Sequence, residues 1–394
     1  MYAYAFFDDF VLLYPVYALL FADTGLSTAE ISSLFVIWAV ASLMVEVPSG
    51  AWADAFSRRR LLIIAPIVTA SGYAAWTFFP SYAFFALGFV LWGAGGAISS
   101  GTLQALVYEE LAAMGRAGSY ARLAGRAEAI RLVAVMAATG LAAPVMAAGG
   151  YLALGVASIA ATLIGALVAW RFPESRAAPR ADASSLPREP DVASEPEAAA
   201  EDEEGFVAVL RAGFAEVRHT PRVRSALVLV VVLMSVYSLD EYLPLLAGAT
   251  GADAADVPLL VLLITAATAL GGWFAGRGTR WAAPVLAVAA ACLAAGALSG
   301  RPAGMVLVAV AYGAFQWAMT AAEARLQERI ADRARATVTS MAGLGADLVT
   351  VPVYALYGLG STRFGPGTLF ALAAVAYLLI ALGLWRAGSR TARE

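Results

Sequence analysis

The sequence has no lysine, one cysteine and one histidine. With Cys292 alone, a disulfide within the chain is impossible, and four-ligand zinc spacing is absent. His219 lies in a polar stretch and Cys292 in an apolar run, and both are read as structural. Charge is also scarce. Only 14 % of the 394 residues are charged, against roughly 25 % in soluble domains. No phosphate-binding loop, nucleophile elbow or metal triad is present, so an enzyme is not expected. Neither is a metal, an organic cofactor or a nucleic-acid partner. The N-terminus lacks a basic region and a small-residue cleavage site, so a cleavable leader is not expected either.

What is abundant is apolar surface. The chain is 61 % hydrophobic with a mean hydropathy of +0.75, which is membrane-class composition. A bilayer core of about 30 Å takes roughly 20 apolar residues per helix. Twelve such segments fall at about 3–22, 28–49, 61–79, 82–107, 126–148, 151–170, 223–248, 257–276, 281–299, 303–325, 336–358 and 366–386. They lack polar/apolar alternation and are too long for barrel strands. The expected fold is therefore all-α and polytopic, with twelve transmembrane helices in two six-helix bundles.

The arginines orient it. With the N-terminus inside, Arg58, Arg59, Arg60, Arg116, Arg122, Arg277, Arg280, Arg329, Arg333 and Arg335 face the cytoplasm with the tail arginines. The outer loops keep Arg301 and Arg363. The positive-inside rule places both termini in the cytoplasm. The expected location is the cell (inner or plasma) membrane, as a multi-pass monomer whose partners are lipid, protons and a small-molecule substrate.

Composition shifts once. Residues 172–205 are rich in Pro, Ala, Ser and acidic groups, and read as a disordered cytoplasmic linker. It separates an N-terminal bundle at 1–171 from a C-terminal bundle at 223–394. Between them, 206–222 reads either as an amphipathic surface helix or as an extension of helix seven. The two halves look like a weak parallel repeat, an arrangement in which a transport site lies at mid-membrane between them.

Residues 46–63 read EVPSGAWADAFSRRRLLI. Glu46, Gly50 and Asp54 share a helix face, and Gly50 permits close helix approach. The stretch resembles the helix 2–3 signature of the major facilitator superfamily, Gly-x-Leu-Ala-Asp-Arg-x-Gly-Arg-Arg. Gly50, Ala53, Asp54, Arg58 and Arg59 match it, while Trp52, Ala55 and Ser57 depart from it. The resemblance implies a gate latch between the halves at Glu46, Gly50, Asp54, Arg58 and Arg59. Helix five holds TGLAAPVMAAGG, a degenerate form of the antiporter-branch motif in which the proline is kept, as Pro144. The family's helix-four arginine has no counterpart here, and Arg131 in helix five is the nearest substitute.

Charges within the spans mark function, because each costs about 2.5–3.5 kcal/mol at mid-membrane on insertion scales. Glu128 and Arg131 form either a local i, i+3 pair or part of the site. Glu323 sits close to a helix end. Asp8/Asp9, Asp240/Glu241 and Asp347 are flanked by apolar turns on both sides. The pairs occur as DDFVLLYP in helix one and DEYLP in helix seven, each followed by a tyrosine and a proline. By resemblance both helices line the cavity. Asp8, Asp9, Arg131, Asp240, Glu241 and Asp347 are the candidate proton- and substrate-binding residues. Tyr14, Gln104, Tyr237, Gln316 and Thr320 are candidate cavity liners. Whether Asp8 or Asp9 faces the cavity is open. A carboxylate in such a cavity binds either a proton or a cation, which gives exchange. The expected function is proton-driven efflux of a cationic or amphiphilic molecule by a drug/H⁺ antiporter. The alternatives are proton-coupled uptake of a nutrient or divalent cation, and a non-transporting receptor or scaffold.

Overall fold

The computed structural model describes residues 1–173, 214, 216–275, 281–331 and 335–391; for 46–55, 335–336, 340 and 387–391 it describes the backbone alone. The expected linker lies outside the described residues from 174 onward, and 206–222 is described only at 214 and 216–222. All regular structure among the described residues is helical. Lipid offers no hydrogen-bond partners, so a spanning segment must satisfy its backbone internally.

The first apolar segment is divided into α1 (Tyr2–Asp9) and α2 (Tyr17–Asp23). Next come α3 (Thr28–Ala55) and α4 (Arg58–Phe78). The fourth segment also divides, into α5 (Tyr82–Ser99) and α6 (Thr102–Ala113). Gly101, with φ 69°, makes that break. The helix α7 (Tyr120–Trp170) is 51 residues long, too long for one crossing, and Gly150 folds it into two arms with φ 61° and ψ −158°. Those arms carry the fifth and sixth apolar segments.

In the second half, α8 (Pro221–Tyr237) passes through a 3₁₀ turn (Ser238–Tyr242) into α9 (Leu243–Ala249). Then follow α10 (Val257–Trp273), α11 (Ala282–Leu298), α12 (Met305–Arg329), α13 (Arg335–Ser361) and α14 (Pro366–Thr391). Among the described residues, eight spans are long and apolar enough to cross a membrane, and α10 and α11 are apolar but shorter.

The N-terminal helices pack mainly α4 on α5, α4 and α1 on α7, and α3 on α5. The C-terminal helices pack α11 on α14, α10 on α12, and α13 on α8. Across the middle, α3 meets α13, α7 meets α10, and α2 meets α9. The bundle has one arginine-rich end, with Arg58, Arg59, Arg60, Arg116 and Arg329, and one arginine-poor end, with the turns at Gly25, Gly150, Gly251 and Gly300.

Small residues set the closest approaches, as is usual between helices in lipid. A Cβ at Gly271 of α10 would collide with the Gly313 carbonyl of α12. At Gly125 an added Cβ meets nothing within 4 Å. Gly271→Ala is therefore expected to destabilise by about 1–3 kcal/mol, as overpacking does. Gly125→Ala should leave the midpoint unchanged or raise it. Thermal unfolding of the detergent-purified protein checks both, and equal midpoints for the two variants would refute the packing account.

Candidate functional site

The break in the first span follows from Pro15, which has no N–H and crowds the preceding turn. Between Phe10 and Val16 the chain makes turns, with Tyr14 N–H donating to Val11 O at 3.3 Å and Val16 N–H to Leu13 O at 3.0 Å. An unmet backbone donor at this depth would be costly. The N–H of Leu13 instead donates to Ser158 Oγ, 3.1 Å away on the second arm of α7. Ser158 is fully buried and donates in turn to Leu154 O at 2.8 Å.

Asp8 and Asp9 close α1. The C-terminal end of a helix is its negative pole, so two carboxylates there need a cation. Arg131, on the first arm of α7, supplies it. Its Nη1 lies 2.9 Å from Asp8 Oδ2 and 3.0 Å from Asp9 Oδ2. A local Glu128–Arg131 pair is therefore not what forms. Adjacent helical positions splay about 100° apart, yet both carboxylates reach the one guanidinium. Two cavities adjoin this cluster. One, of ≈ 420 Å³, also holds Tyr4, Ser99, Ser100, Gln104 and Glu128. The other, of ≈ 170 Å³, extends past Thr69 and Tyr73 to Tyr14 and Trp92.

The second acidic pair sits at the corresponding break of the second half. Asp240 and Glu241 lie in the 3₁₀ turn just before Pro244. Both line a central cavity of ≈ 340 Å³ between the halves. Tyr14, Tyr17, Trp38, Trp92 and Thr139 form its N-terminal side. Tyr237, Thr265, Thr268 and Tyr312 join the acids on the other. Trp92 stacks on Trp38 (4.9 Å, 16°) and on Tyr14 (5.3 Å, 22°), which gives a nearly continuous flat wall. Hydrogen bonds cross between the halves. Tyr17 Oη donates to Glu241 Oε2, and Tyr242 Oη donates to Ser32 Oγ at 3.0 Å. With Phe35 against Tyr242 and Tyr354, they seal the cavity on its arginine-poor side.

Other expected residues lie elsewhere. Asp347 is exposed on α13 beside exposed Leu344 and Leu348, and lines none of these cavities. Gln316 donates to Thr320 Oγ1 at 3.2 Å along α12, and neither lines the central cavity. Glu46, Gly50 and Asp54 fall in the part of α3 described by backbone alone. Arg58 pairs with Glu109 of α6, inside its own half. Sequence reading missed Ser158, Trp92, Thr265, Thr268 and Tyr312. Helices apolar all round have no polar stripe to mark an inward face.

The family model described as Major Facilitator Superfamily matches residues 1–349. A search of curated proteins finds no match. Among solved structures, a mutant form of the nucleoside transporter NupG superposes with a TM-score of 0.75 at 11 % identity, covering 98 % of both chains. A bacterial homologue of the human lysosomal transporter Spinster, inward-facing and unoccupied, gives 0.69 at 17 %, covering 99 % of this chain and 95 % of that one. A D-xylose–proton symporter gives 0.69 at 14 %, covering 97 % and 94 %. At these identities the likeness shows the fold alone.

Removing Arg131 strands two carboxylates. Since all three side chains are 25–29 % exposed, Arg131→Leu should cost about 2 kcal/mol, below the ~3–5 of a fully buried pair. Adding Asp8→Asn and Asp9→Asn to it should recover most of that loss. A thermal-unfolding cycle over the variants measures the coupling, and strictly additive effects would contradict the cluster.

Proposed function

The chain belongs to the major facilitator superfamily and is a multi-pass membrane transporter, not an enzyme; from that premise we propose that it exports a cationic or amphiphilic small molecule in exchange for protons. The observation that carries this is the pair of acidic sites at matched helix breaks, one beside Arg131 and one on the cavity between the halves. Discontinuous helices at mid-membrane are a recurring way to build transport sites, since the backbone they free lines a cavity.

Alternating access needs a closure that can come apart. The Tyr17–Glu241 and Tyr242–Ser32 bonds are such a closure, since each joins one half to the other. With the arginine-rich end inside the cell, this conformation is closed to the exterior. A proton gradient supplies the energy and the monomer is the working unit. In this scheme Glu46, Gly50, Asp54, Arg58 and Arg59 keep the role of a gate at the arginine-rich end. Asp8, Asp9, Arg131, Asp240 and Glu241 exchange protons for substrate. Asp347, on the exposed face of α13, is kept as a further proton carrier in this scheme.

Reconstitution in proteoliposomes with an imposed pH gradient tests the proposal. Wild-type protein should move an organic cation against its gradient while protons move the other way. The Asp8→Asn, Asp9→Asn double variant should fall to the background of empty liposomes. Gradient-driven exchange that survives the double variant would sink the carrier assignment, and substrate moving with the protons would replace efflux by uptake.

A further inference from the structure

Two acidic pairs at equivalent breaks invite a single description, but their surroundings differ. Asp8 and Asp9 share Arg131, and Glu128 is the further charged group on their cavity. Tyr4 of α1 and Tyr73 of α4 complete the titratable groups facing them, with Tyr14 at the edge. Among the described residues, no arginine lines the central cavity. There Glu241 already accepts the Tyr17 hydroxyl, and no side-chain hydrogen bond or ion pair reaches Asp240 among the described residues. A carboxylate out of water with no cation beside it takes up a proton or a ligand cation.

The rest of that cavity specifies the ligand. Tyr14, Trp92 and Trp38 present one flat aromatic wall, across the cavity from the side that holds Asp240. A flat cation can lie against those ring faces with its charge toward the carboxylate, gaining stacking and cation–π attraction together. The volume, ≈ 340 Å³, is at the low end for small-molecule sites. Glu241 is committed to the Tyr17 hydroxyl across the halves, which leaves Asp240 as the one carboxylate whose partner a ligand's single positive charge can be.

Building on the exchange proposed above, we infer that the two pairs divide the work: Asp240 and the Tyr14–Trp92–Trp38 wall bind a flat, singly charged organic cation, and Asp8 and Asp9 beside Arg131 take the proton. The two sites are neighbours, because Tyr14 and Trp92 line both the central cavity and the smaller aspartate cavity.

The test separates binding from driving. Binding of N-methylacridinium, a flat monocation, to the full-length protein in detergent is followed by its fluorescence, with tetraethylammonium as a monocation that lacks a ring. Asp240→Asn should weaken N-methylacridinium about 10-fold or more, the scale of losing a charge-assisted contact. Trp38→Leu should weaken it about 10-fold through the lost ring face and weaken tetraethylammonium clearly less, since that ion loses cation–π attraction but no stacking. That discrimination would not follow from misfolding. The Asp8→Asn, Asp9→Asn variant should bind N-methylacridinium like wild type and exchange it across liposomes without a gradient, although gradient-driven export is lost. Wild-type protein that ignores N-methylacridinium, Asp240→Asn that binds it normally, or an aspartate double variant that cannot bind it would each overturn the division. If the binding results hold but no variant, wild type included, shows proton-driven movement, the exchange proposal fails and the cation site stands.

Discussion

In lipid a helix that breaks has nowhere to send its freed backbone groups except into its own protein. That constraint organises this molecule. The first span breaks at Phe10–Val16 beside Pro15, and Ser158 meets the Leu13 N–H there from a neighbouring helix. The seventh segment passes through Ser238–Tyr242 by tightening to a 3₁₀ turn, with Ser235 Oγ returning a bond to Val231 O at 2.7 Å. Of the charged side chains considered as carriers, all but Asp347 collect at those two places. Irregular backbone, cavity and carboxylate are three faces of one local arrangement.

The halves echo each other in where they break and differ in how they balance charge. On one side a guanidinium bridges two carboxylates at the negative end of a helix. On the other, two carboxylates face a space walled with tyrosine and tryptophan, and one of them reaches across to a tyrosine of the opposite half. A repeat that diverges in this way can assign different cargo to each half while keeping the same rocking motion.

Much of the architecture was legible in the residues. Apolar run length and the lopsided arginines exposed the spans, and the doubled acids followed by tyrosine and proline drew attention to the matched segments. The fold and family that these implied agree with the match over residues 1–349. The breaks were only half legible. Pro15 and Pro244 suggested bending, but Gly101 and Gly150 lie in apolar runs where a glycine serves packing as readily as a turn. The partner of Arg131 was hidden because Glu128, three residues away, looked like a sufficient mate, and the competing aspartates are more than a hundred residues distant. Asp347, by contrast, looked central by its depth in a helix. Depth along an axis does not say which way a side chain turns, and in the structure it turns outward.

One helix grips the first span at two points, the end of α1 and the middle of the break. From the first arm of α7, Arg131 holds the end of α1; from the second arm, Ser158 holds Leu13. A single residue, Gly150, separates the arms, so they are stitched together with almost no slack. The two grips differ in kind. The ionic one dissolves when its carboxylates are neutralised, whereas the one at Leu13 carries no charge and ignores that event. Neutralisation therefore loosens α1 and leaves the chain pinned at Leu13, within the break, which makes the broken span a lever with a fixed fulcrum.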